Sequence, residues 1–217
     1  MDSHSDASRF FDSFAEAFDT IYDGKRNVFV RWLDRHFRND MFIRFALSFE
    51  NLGDLTGKTV LDIGCGSGPY VLEALKRGAS KVTAVDPAPT MLSLARNRIE
   101  QNGYLEKCNF INGTFPGISL PIHDDVIVMG VMDYVEDARS FLAGLLPLVK
   151  TSAVISFPSY HWFRTPFRKV RYRLRHCPVY FYSESQIREL CTTVGFRTVS
   201  IQKIPGAGMD FHVCLKP

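Results

Sequence analysis

Long apolar segments are missing from this chain of 217 residues. No run of 18 apolar residues occurs, and the opening MDSHSDASRF has neither a basic cluster nor an apolar stretch. We therefore expect no transmembrane helix and no export signal. The five cysteines are scattered and never spaced as CxxC, which argues against structural zinc and against a disulfide framework. These absences predict a soluble protein of the reducing cytosol without a bound metal.

An excess of charge of one sign is also missing. The chain has 26 basic and 23 acidic residues, a formal net charge of +3, and 46% hydrophobic residues. This balance excludes a strong binder of polyanions, and the apolar content excludes a disordered chain. A chain of this length can bury about 70% of its unfolded surface. We therefore expect a folded domain with a substantial core.

Short apolar runs alternate with amphipathic stretches after residue 58. This alternation predicts an α/β fold in which helices cover both faces of a mostly parallel sheet, ending in an antiparallel hairpin. The predicted strands are 59–64, 81–86, 109–113, 125–131, 152–158, 196–203 and 210–216.

Two regions outside this alternating pattern predict additional helices. Phe10, Phe14 and Phe18 recur at helical spacing in an N-terminal helical cap over 1–55. A basic helical insertion over about 160–182 interrupts the core of 58–217, and we expect the whole chain, 1–217, to form one domain. The insertion has six positive side chains and no acid: Arg164, Arg168, Lys169, Arg171, Arg173 and Arg175. It can be a solvated face, a docking face for an anionic substrate or carrier, or a helix in peripheral contact with a membrane.

The segment 60–68 reads VLDIGCGSG and lies where a predicted strand gives way to a helix. Alternate glycines allow a tight turn and close approach of a ligand to the backbone, and the following helix directs its first N–H groups at that ligand. Asp86 ends the next strand, where a carboxylate can accept hydrogen bonds from both hydroxyls of a ribose. This arrangement predicts a nucleotide-cofactor site.

The glycine spacing separates two cofactor classes. A dinucleotide site of the form G-x-G-x-x-G needs glycine at position 69, where Pro69 stands. The observed G-x-G-x-G, preceded by Asp62, resembles motif I of the class I S-adenosylmethionine-dependent methyltransferases. The segment VTAVDPAPTML resembles their acidic segment after motif I, and DDVIVMGVMDYVEDARSFL resembles their fourth strand and the loop over the cofactor. The resemblance covers about residues 58–157.

The resemblance implies a Rossmann-like class I methyltransferase sandwich. Its sheet would be mostly parallel and seven-stranded, with an antiparallel last strand and extra N-terminal helices. S-adenosylmethionine would be the methyl donor and S-adenosylhomocysteine the product. Asp62 would orient the glycine loop or accept from the methionine amino group, and Asp86 would hold the ribose hydroxyls. The implied cofactor-binding residues are Asp62, Gly64, Cys65, Gly66, Gly68, Asp86, Pro87, Met91, Thr114, Phe115, Gly130, Val131 and Tyr134.

The sequence says less about the methyl acceptor than about the methyl donor. A carboxylate needs no base, whereas a hydroxyl or amine can need one within hydrogen-bonding reach. Polar residues after the fourth and fifth strands include Asp133, Tyr160 and His161, of which we select His161 as the candidate base. His123 precedes its strand, which places it at the opposite edge of the sheet. A narrower resemblance to the magnesium-protoporphyrin O-methyltransferases, in length and in LTGKTVLDIGCGSG, is consistent with a small anionic or lipid-like acceptor methylated at oxygen.

Three other functions compete with this interpretation. An adenine amino-methyltransferase would have an (Asn/Asp)-Pro-Pro-aromatic segment after the fourth strand, where this chain reads GVMDYVED. One basic segment alone is weak evidence for nucleic-acid binding. A nicotinamide-dependent oxidoreductase is disfavoured by Pro69. A non-enzymatic scaffold is disfavoured because Asp62, the glycines and Asp86 are all present.

Overall fold

Strands and helices alternate along the structure, a computed structural model that describes residues 39–160, 179–204 and 210–217. The helices are α1 (Asn39–Leu52), α2 (Pro69–Lys76), α3 (Pro89–Gln101), α4 (Ala138–Leu145) and α5 (Glu184–Val194). The strands are β1 (Thr59–Ile63), β2 (Lys81–Asp86), β3 (Cys108–Asn112), β4 (His123–Val128), β5 (Val149–Phe157), β6 (Thr198–Lys203) and β7 (Phe211–Lys216). Single 3-10 turns cover Leu105–Lys107 and Leu146–Leu148.

All seven strands form one sheet in the order β3-β2-β1-β4-β5-β7-β6. The pairs from β3 across to β5 are parallel, whereas β7 is antiparallel to both β5 and β6. This sheet confirms the predicted Rossmann-like class I methyltransferase sandwich with its antiparallel last strand. The strand order reverses direction between β1 and β4, and open α/β sheets bind ligands at the carboxyl ends of the strands flanking such a point.

Each face of the sheet is covered by its own helices. On one face Val126, Phe157 and their neighbours form a core with residues of α4 and α5. On the other face Ile127, Val154 and Phe49 form a second core with residues of α1 and α2. Neighbouring residues of β4 thus enter opposite cores, which explains why the central strands are continuous apolar runs.

The predicted fourth strand, 125–131, is wrong at both ends, because β4 covers His123–Val128. Gly130 has a left-handed φ of 74°, and its N–H donates to Ser156 Oγ (2.8 Å) instead of continuing the strand ladder. The Tyr134 N–H then donates to the Val131 carbonyl (2.9 Å) in a turn. Gly130 and Val131 therefore lie in the loop that leaves the sheet, where they can line a site.

Several sequence-based expectations concern residues outside the described ranges. These are the helix with Phe10, Phe14 and Phe18, the basic segment from Arg164 to Arg175, and the candidate base His161. Within the segment 1–55, the part that the structure describes includes a helix, α1, which contains Phe42 and Phe49. None of the helices in the described part is long and apolar enough to cross a lipid bilayer.

Candidate functional site

The glycine loop, residues Gly64–Gly68, joins β1 to α2 and turns across the end of β2. The N–H groups of Gly64 and Cys65 both donate to the Val85 carbonyl (2.8 and 3.0 Å), and the Gly66 N–H donates to Asp86 Oδ2 (2.8 Å). The loop is therefore anchored on β2 by backbone groups, independently of its own side chains.

Two glycines of the loop are required by close packing. Gly64 has φ 73°, and a Cβ there would overlap Val131 Cγ2 from the loop after β4. Gly68 has φ 80° at the N-cap of α2, and its Cβ would lie 3.0 Å from Ala95 Cβ on α3. At Gly66, by contrast, a Cβ would meet nothing within 4 Å among the described residues. The middle of the loop thus faces open space in which a ligand can approach the backbone.

Asp86 is held rigidly at the end of β2. Its Oδ2 accepts from the Gly66 N–H and its Oδ1 from the Ala88 N–H (2.9 Å). Asn112 Nδ2 donates to the backbone carbonyls of Asp86 and Pro87, both at 3.1 Å. These hydrogen bonds fix the Asp86 carboxylate at the end of β2, next to the glycine loop.

Asp62 lies beneath the loop with 1% of its surface exposed. Within the described ranges no hydrogen-bond donor reaches its Oδ2 atom. Burial, and secondly the charge of Asp86, raise the pKa of Asp62 to about 8. A positively charged ligand group placed beside this carboxyl would stabilise its ionised form.

Cys65 contributes a thiol to the loop but no nucleophile. Burial, followed by the charges of Asp62 and Asp86, raises its pKa well above the ordinary range. Since the thiolate is the reactive form, we expect the side chain to act as a small apolar group.

The residues predicted around the adenine occupy different environments. Met91 is buried beside Ala88, whereas Pro87 and Thr114 are partly exposed. Phe115 packs edge-to-face on Phe141 with ring centroids 5.0 Å apart, so its ring belongs to the core beneath α4. Contact of these four residues with adenine stays a prediction.

At the other end of the site, the loop after β4 meets the segment before α5. The Asp133 carbonyl accepts from the Tyr180 N–H at 2.9 Å. Tyr182 packs edge-to-face on Phe157, with centroids 5.2 Å apart, and its hydroxyl donates to the Val135 carbonyl at 3.4 Å. Burial and the charge of Asp133 raise the pKa of Tyr182 to about 12. The tyrosine is therefore a neutral wall of the site, and the buried carboxyl of Asp133 lies near it.

A polar cluster of Arg44, Ser48 and His212, which sequence reasoning missed, lies next to this loop. Arg44 Nη1 would be 4.0 Å from a Cβ on Gly130. Ser48 Oγ donates to the Arg44 carbonyl (2.7 Å) and lies 3.3 Å from His212 Nε2. Burial, and secondly the charge of Arg44, lower the pKa of His212 to about 4, so the imidazole is neutral at physiological pH.

Other predicted residues lie outside the site. His123 is buried at the amino end of β4, as predicted, where Nε2 contacts Thr83 Oγ1 (2.9 Å) and Nδ1 contacts the Pro121 carbonyl (2.7 Å). His161 lies outside the described residues. Over the described ranges, no three His, Cys, Asp or Glu side chains come together as a metal-binding group.

Comparisons with known proteins agree with this geometry. Residues 60–152 match the family of methyltransferase domains. The chain is 34% identical over 118 residues to the mitochondrial ubiquinone biosynthesis O-methyltransferase of Schizosaccharomyces pombe, a match that covers 53% of this chain and 43% of that protein. It is 48% identical over 54 residues to the ribosomal protein L11 methyltransferase of Escherichia coli, covering 25% of this chain and 18% of that protein. The chain thus spans less than half the length of these curated relatives.

Among solved structures, magnesium protoporphyrin IX methyltransferase of Synechocystis PCC 6803, crystallised with S-adenosylhomocysteine, matches over 100% of both chains. The TM-score is 0.79 and the sequence identity 20%, which establishes the shared fold. The fold, the anchored glycine loop and the match over residues 60–152 agree with one another: this part of the chain is similar to methyltransferase domains, and the described structure has the fold of S-adenosylmethionine-dependent methyltransferases.

Proposed function

We propose that this protein transfers the methyl group of S-adenosylmethionine to an oxygen atom, hydroxyl or carboxylate, of a small-molecule acceptor. The observation that carries the proposal is the glycine loop, which is anchored on β2 through Asp86 while its middle, at Gly66, stays open to a ligand. Pro69 begins α2. The arrangement therefore does not need a glycine at position 69.

The residues present fit the cofactor. Asp86 ends β2 beside the glycine loop, where ribose hydroxyls would lie. The buried Asp62 carboxyl lacks a donor to Oδ2 within the described ranges, as expected of a group that awaits a cation such as an amino group. Gly130, Val131 and Tyr134 would surround the amino-acid end, because Val131 lies directly against Gly64.

The chemistry supplied by bound S-adenosylmethionine is an electrophilic methyl group on a positively charged sulfur atom. The chain's part is to hold the acceptor oxygen in line with that methyl and to exclude water. Tyr182, which packs on the fully buried Phe157, would provide an apolar wall at the carboxyl end of β5. An acceptor carboxylate would need no base. For an acceptor hydroxyl, Asp133 and His161 remain our candidates to take the proton.

The choice of a small acceptor with an anionic or lipid-like character rests on two kinds of support. The relatives named above include an O-methyltransferase of ubiquinone biosynthesis and a porphyrin methyltransferase. In this chain the sequence from Arg164 to Arg175 has six positive side chains and no acid, and arginine forks match carboxylates. A nucleic-acid acceptor is disfavoured by the sequence GVMDYVED after β4.

The test of the donor is a thermal-shift titration with S-adenosylhomocysteine, S-adenosylmethionine and reduced nicotinamide dinucleotide, on wild type and Asp86→Ala. Ligand at 100 times its Kd adds about 2.7 kcal/mol of stability, which for this length raises Tm by roughly 5–11 °C. We expect that shift with both sulfur ligands and its loss in Asp86→Ala. A shift with the nicotinamide alone contradicts the proposal and favours the oxidoreductase alternative.

The test of the acceptor uses S-adenosylmethionine labelled in the methyl group. Candidate acceptors are offered as matched pairs with a free carboxylate, a free hydroxyl or neither. Methyl esters release labelled methanol in mild base, whereas methyl ethers and methylamines do not, so the label reports the methylated atom. Stable label on ribosomal protein or RNA, with none on small molecules, would contradict a small-molecule acceptor.

A further inference from the structure

A buried serine hydroxyl lies just beyond the carboxyl end of β5. Ser159 has 5% of its surface exposed, and its Oγ atom has no hydrogen-bond partner among the described residues. In the described part of the chain, the side-chain oxygens left in this state are Ser159 Oγ and Asp62 Oδ2. Asp62 lies near the carboxyl end of β1, and β1 and β5 flank β4 in the sheet. Both unsatisfied oxygens therefore belong to the edge of the sheet where α/β folds bind ligands.

The backbone around Ser159 places its side chain on the same face of the sheet as Tyr182. The two residues are paired as in a parallel sheet, and the Tyr182 N–H donates to the Pro158 carbonyl at 2.9 Å. Residues two apart in an extended segment point to the same face, and Phe157, two residues before Ser159, packs against the Tyr182 ring. The Ser159 hydroxyl thus lies on the face that carries both aromatic rings.

Hydrogen bonds on two sides hold this part of the backbone in place. The Ser159 N–H donates to Asp210 Oδ1, in the residue before β7, at 3.3 Å. On the other side, the segment that contains Tyr182 is bound to the loop after β4, because the Tyr180 N–H donates to the Asp133 carbonyl at 2.9 Å. The Ser159 hydroxyl is therefore carried by a segment fixed between β7 and the loop after β4.

The proposed function places the methyl acceptor at this edge, over the carboxyl ends of β4 and β5. A buried hydroxyl without a hydrogen bond costs free energy, which an oxygen atom of a bound molecule can restore by accepting from it. On the basis of the proposed function, we propose that Ser159 Oγ binds the methyl acceptor through a hydrogen bond to one of its oxygen atoms. This bond contributes to the affinity and orientation of the acceptor and leaves the binding of the methyl donor unchanged.

The opposite end of β5 offers a matched control. Ser152 is 3% exposed, and its Oγ donates to Asp125 at 2.6 Å. Ser152→Ala and Ser159→Ala each remove one buried hydroxyl from the same stretch of chain. The hydroxyl of Ser152 has its partner within the protein, whereas that of Ser159 has its partner in the acceptor. The two variants should therefore differ in their effects on stability and on the use of the acceptor.

The first measurement is the Tm of wild type and both variants without acceptor. We expect Ser152→Ala to lower Tm by at least about 3 °C, because it removes a hydrogen bond to a buried carboxylate. Ser159→Ala should leave Tm unchanged or raise it by up to about 4 °C, because it removes an unsatisfied hydroxyl. A fall in the Tm of Ser159→Ala as large as that of Ser152→Ala would overturn the inference, since the hydroxyl would then have a partner within the protein.

The second measurement uses methyl-labelled S-adenosylmethionine with two flat acceptor probes, protoporphyrin IX, which carries two carboxylates, and catechol, which carries two hydroxyls. With whichever probe wild type methylates, Ser159→Ala should lower kcat/KM about tenfold or more, chiefly by raising the KM of the probe. The Kd of S-adenosylhomocysteine should stay within about twofold of wild type. Ser152→Ala should keep the kcat/KM of wild type.

Two kinetic results overturn the inference while leaving the proposed function intact. One is an unchanged kcat/KM in Ser159→Ala, and the other is a rise in the Kd of S-adenosylhomocysteine as large as the loss of kcat/KM. If wild type methylates neither probe, the Tm comparison decides alone: an unchanged or raised Tm in Ser159→Ala supports the inference, and a lowered Tm overturns it. If wild type binds no S-adenosylhomocysteine, the proposed function fails and the role of Ser159 fails with it.

Discussion

At Asp62 a carboxyl group is buried under a backbone loop, and the nearest charge that acts on it is another carboxylate. Burial and Asp86 together raise its pKa to about 8, so in the unliganded protein it is mostly protonated at pH 7. A ligand ammonium at this point would reverse the balance, because an adjacent positive charge favours the carboxylate. We therefore expect Asp62 to couple the binding of an ammonium-bearing ligand to proton release.

This coupling predicts that S-adenosylhomocysteine binding at pH 7 releases close to one proton in wild type and almost none in Asp62→Asn. Calorimetric titrations in phosphate and in Tris, which differ in ionisation enthalpy, give the proton number from the difference in apparent heat. Release of no proton by wild type would mean that the ammonium does not lie beside Asp62.

The same carboxyl affects the stability of the unliganded protein. Its pKa in the folded state lies above the ordinary value of 3.8, so between about pH 4 and 8 the folded state holds a proton that the unfolded chain has released. Stability then falls as the pH rises, at about 1.4 kcal/mol per pH unit for one proton. His212 acts in the opposite direction between about pH 4 and 6.5 because its pKa is lowered. The quantity to compare across this pH range is therefore the difference in the free energy of unfolding between wild type and Asp62→Asn.

Among single residues, those that sequence could predict are the ones belonging to a local motif. Asp62, Gly64, Gly66 and Asp86 do lie together, since the two strands that carry them pair in parallel. Arg44 and His212 had no such signal. Their proximity depends on which side of α1 packs on β7, and the two residues are separated by most of the chain.

At the scale of the element, the glycine loop depends on the loop after β4 for its shape. A methyl group on Gly64 would overlap Val131 Cγ2 and would require a left-handed backbone. We expect Gly64→Ala to cost about 2–4 kcal/mol, combining backbone strain with overpacking, and to weaken S-adenosylhomocysteine binding at least about tenfold. Chemical denaturation and calorimetry measure the two effects.

Gly53→Ala is the control for the contribution of backbone strain to the loss of stability. Gly53 has φ 66° with nothing within 4 Å of its Cβ position, so the substitution should cost about 1 kcal/mol and leave binding unchanged. Adding Val131→Ala to Gly64→Ala should recover part of the lost stability, because it removes the overlapping methyl group. If the stability losses of Gly64→Ala and Val131→Ala simply add in the double variant, the contact between positions 64 and 131 does not determine the loop's shape.

Element boundaries were predictable where capping residues mark them. Ser183 and Gln186 form a capping box, and Gly195 ends the helix with φ 118°, so both ends of α5 (Glu184–Val194) are marked by residues that can be read from the sequence. For β4 the apolar run continues past Val128. The end of that strand is marked by the hydrogen bond from Gly130, in the loop after β4, to Ser156 on β5, which a linear pattern does not contain.

At the scale of the whole molecule, the two edges of the sheet differ in their polar groups. At the carboxyl edge the buried Asp62 has no donor to Oδ2 among the described residues, and the nearby Gly66 borders open space, whereas the amino edge has polar groups that satisfy one another. There Lys58 Nζ pairs with the fully buried Asp125 at 2.9 Å, and Ser152 Oγ donates to the same carboxylate at 2.6 Å. On the proposed function, we expect the amino edge to serve stability and the carboxyl edge to serve binding.

This division predicts that Lys58→Met lowers the free energy of unfolding by about 3 kcal/mol, because it leaves a buried carboxylate without its cation. The Kd of S-adenosylhomocysteine should stay within about twofold of wild type, since the site is at the other edge. Lys150→Met, which removes a solvent-exposed partner of Asp124, should shift the unfolding midpoint far less. Loss of binding in Lys58→Met at temperatures where it remains folded would contradict the division.

The sequence by itself determined the α/β fold class, the glycine loop, Asp62 and Asp86, and the bounds of α5, because each depends on residues that are neighbours in the chain or on neighbouring strands. The insertion of β7 between β5 and β6, the end of β4 at Val128 and the meeting of Arg44 with Gly130 were decided only by the tertiary structure. These features arise when whole faces of helices and strands are buried against each other. The energy of that packing depends on residues far apart in the chain, so a local pattern does not reveal it.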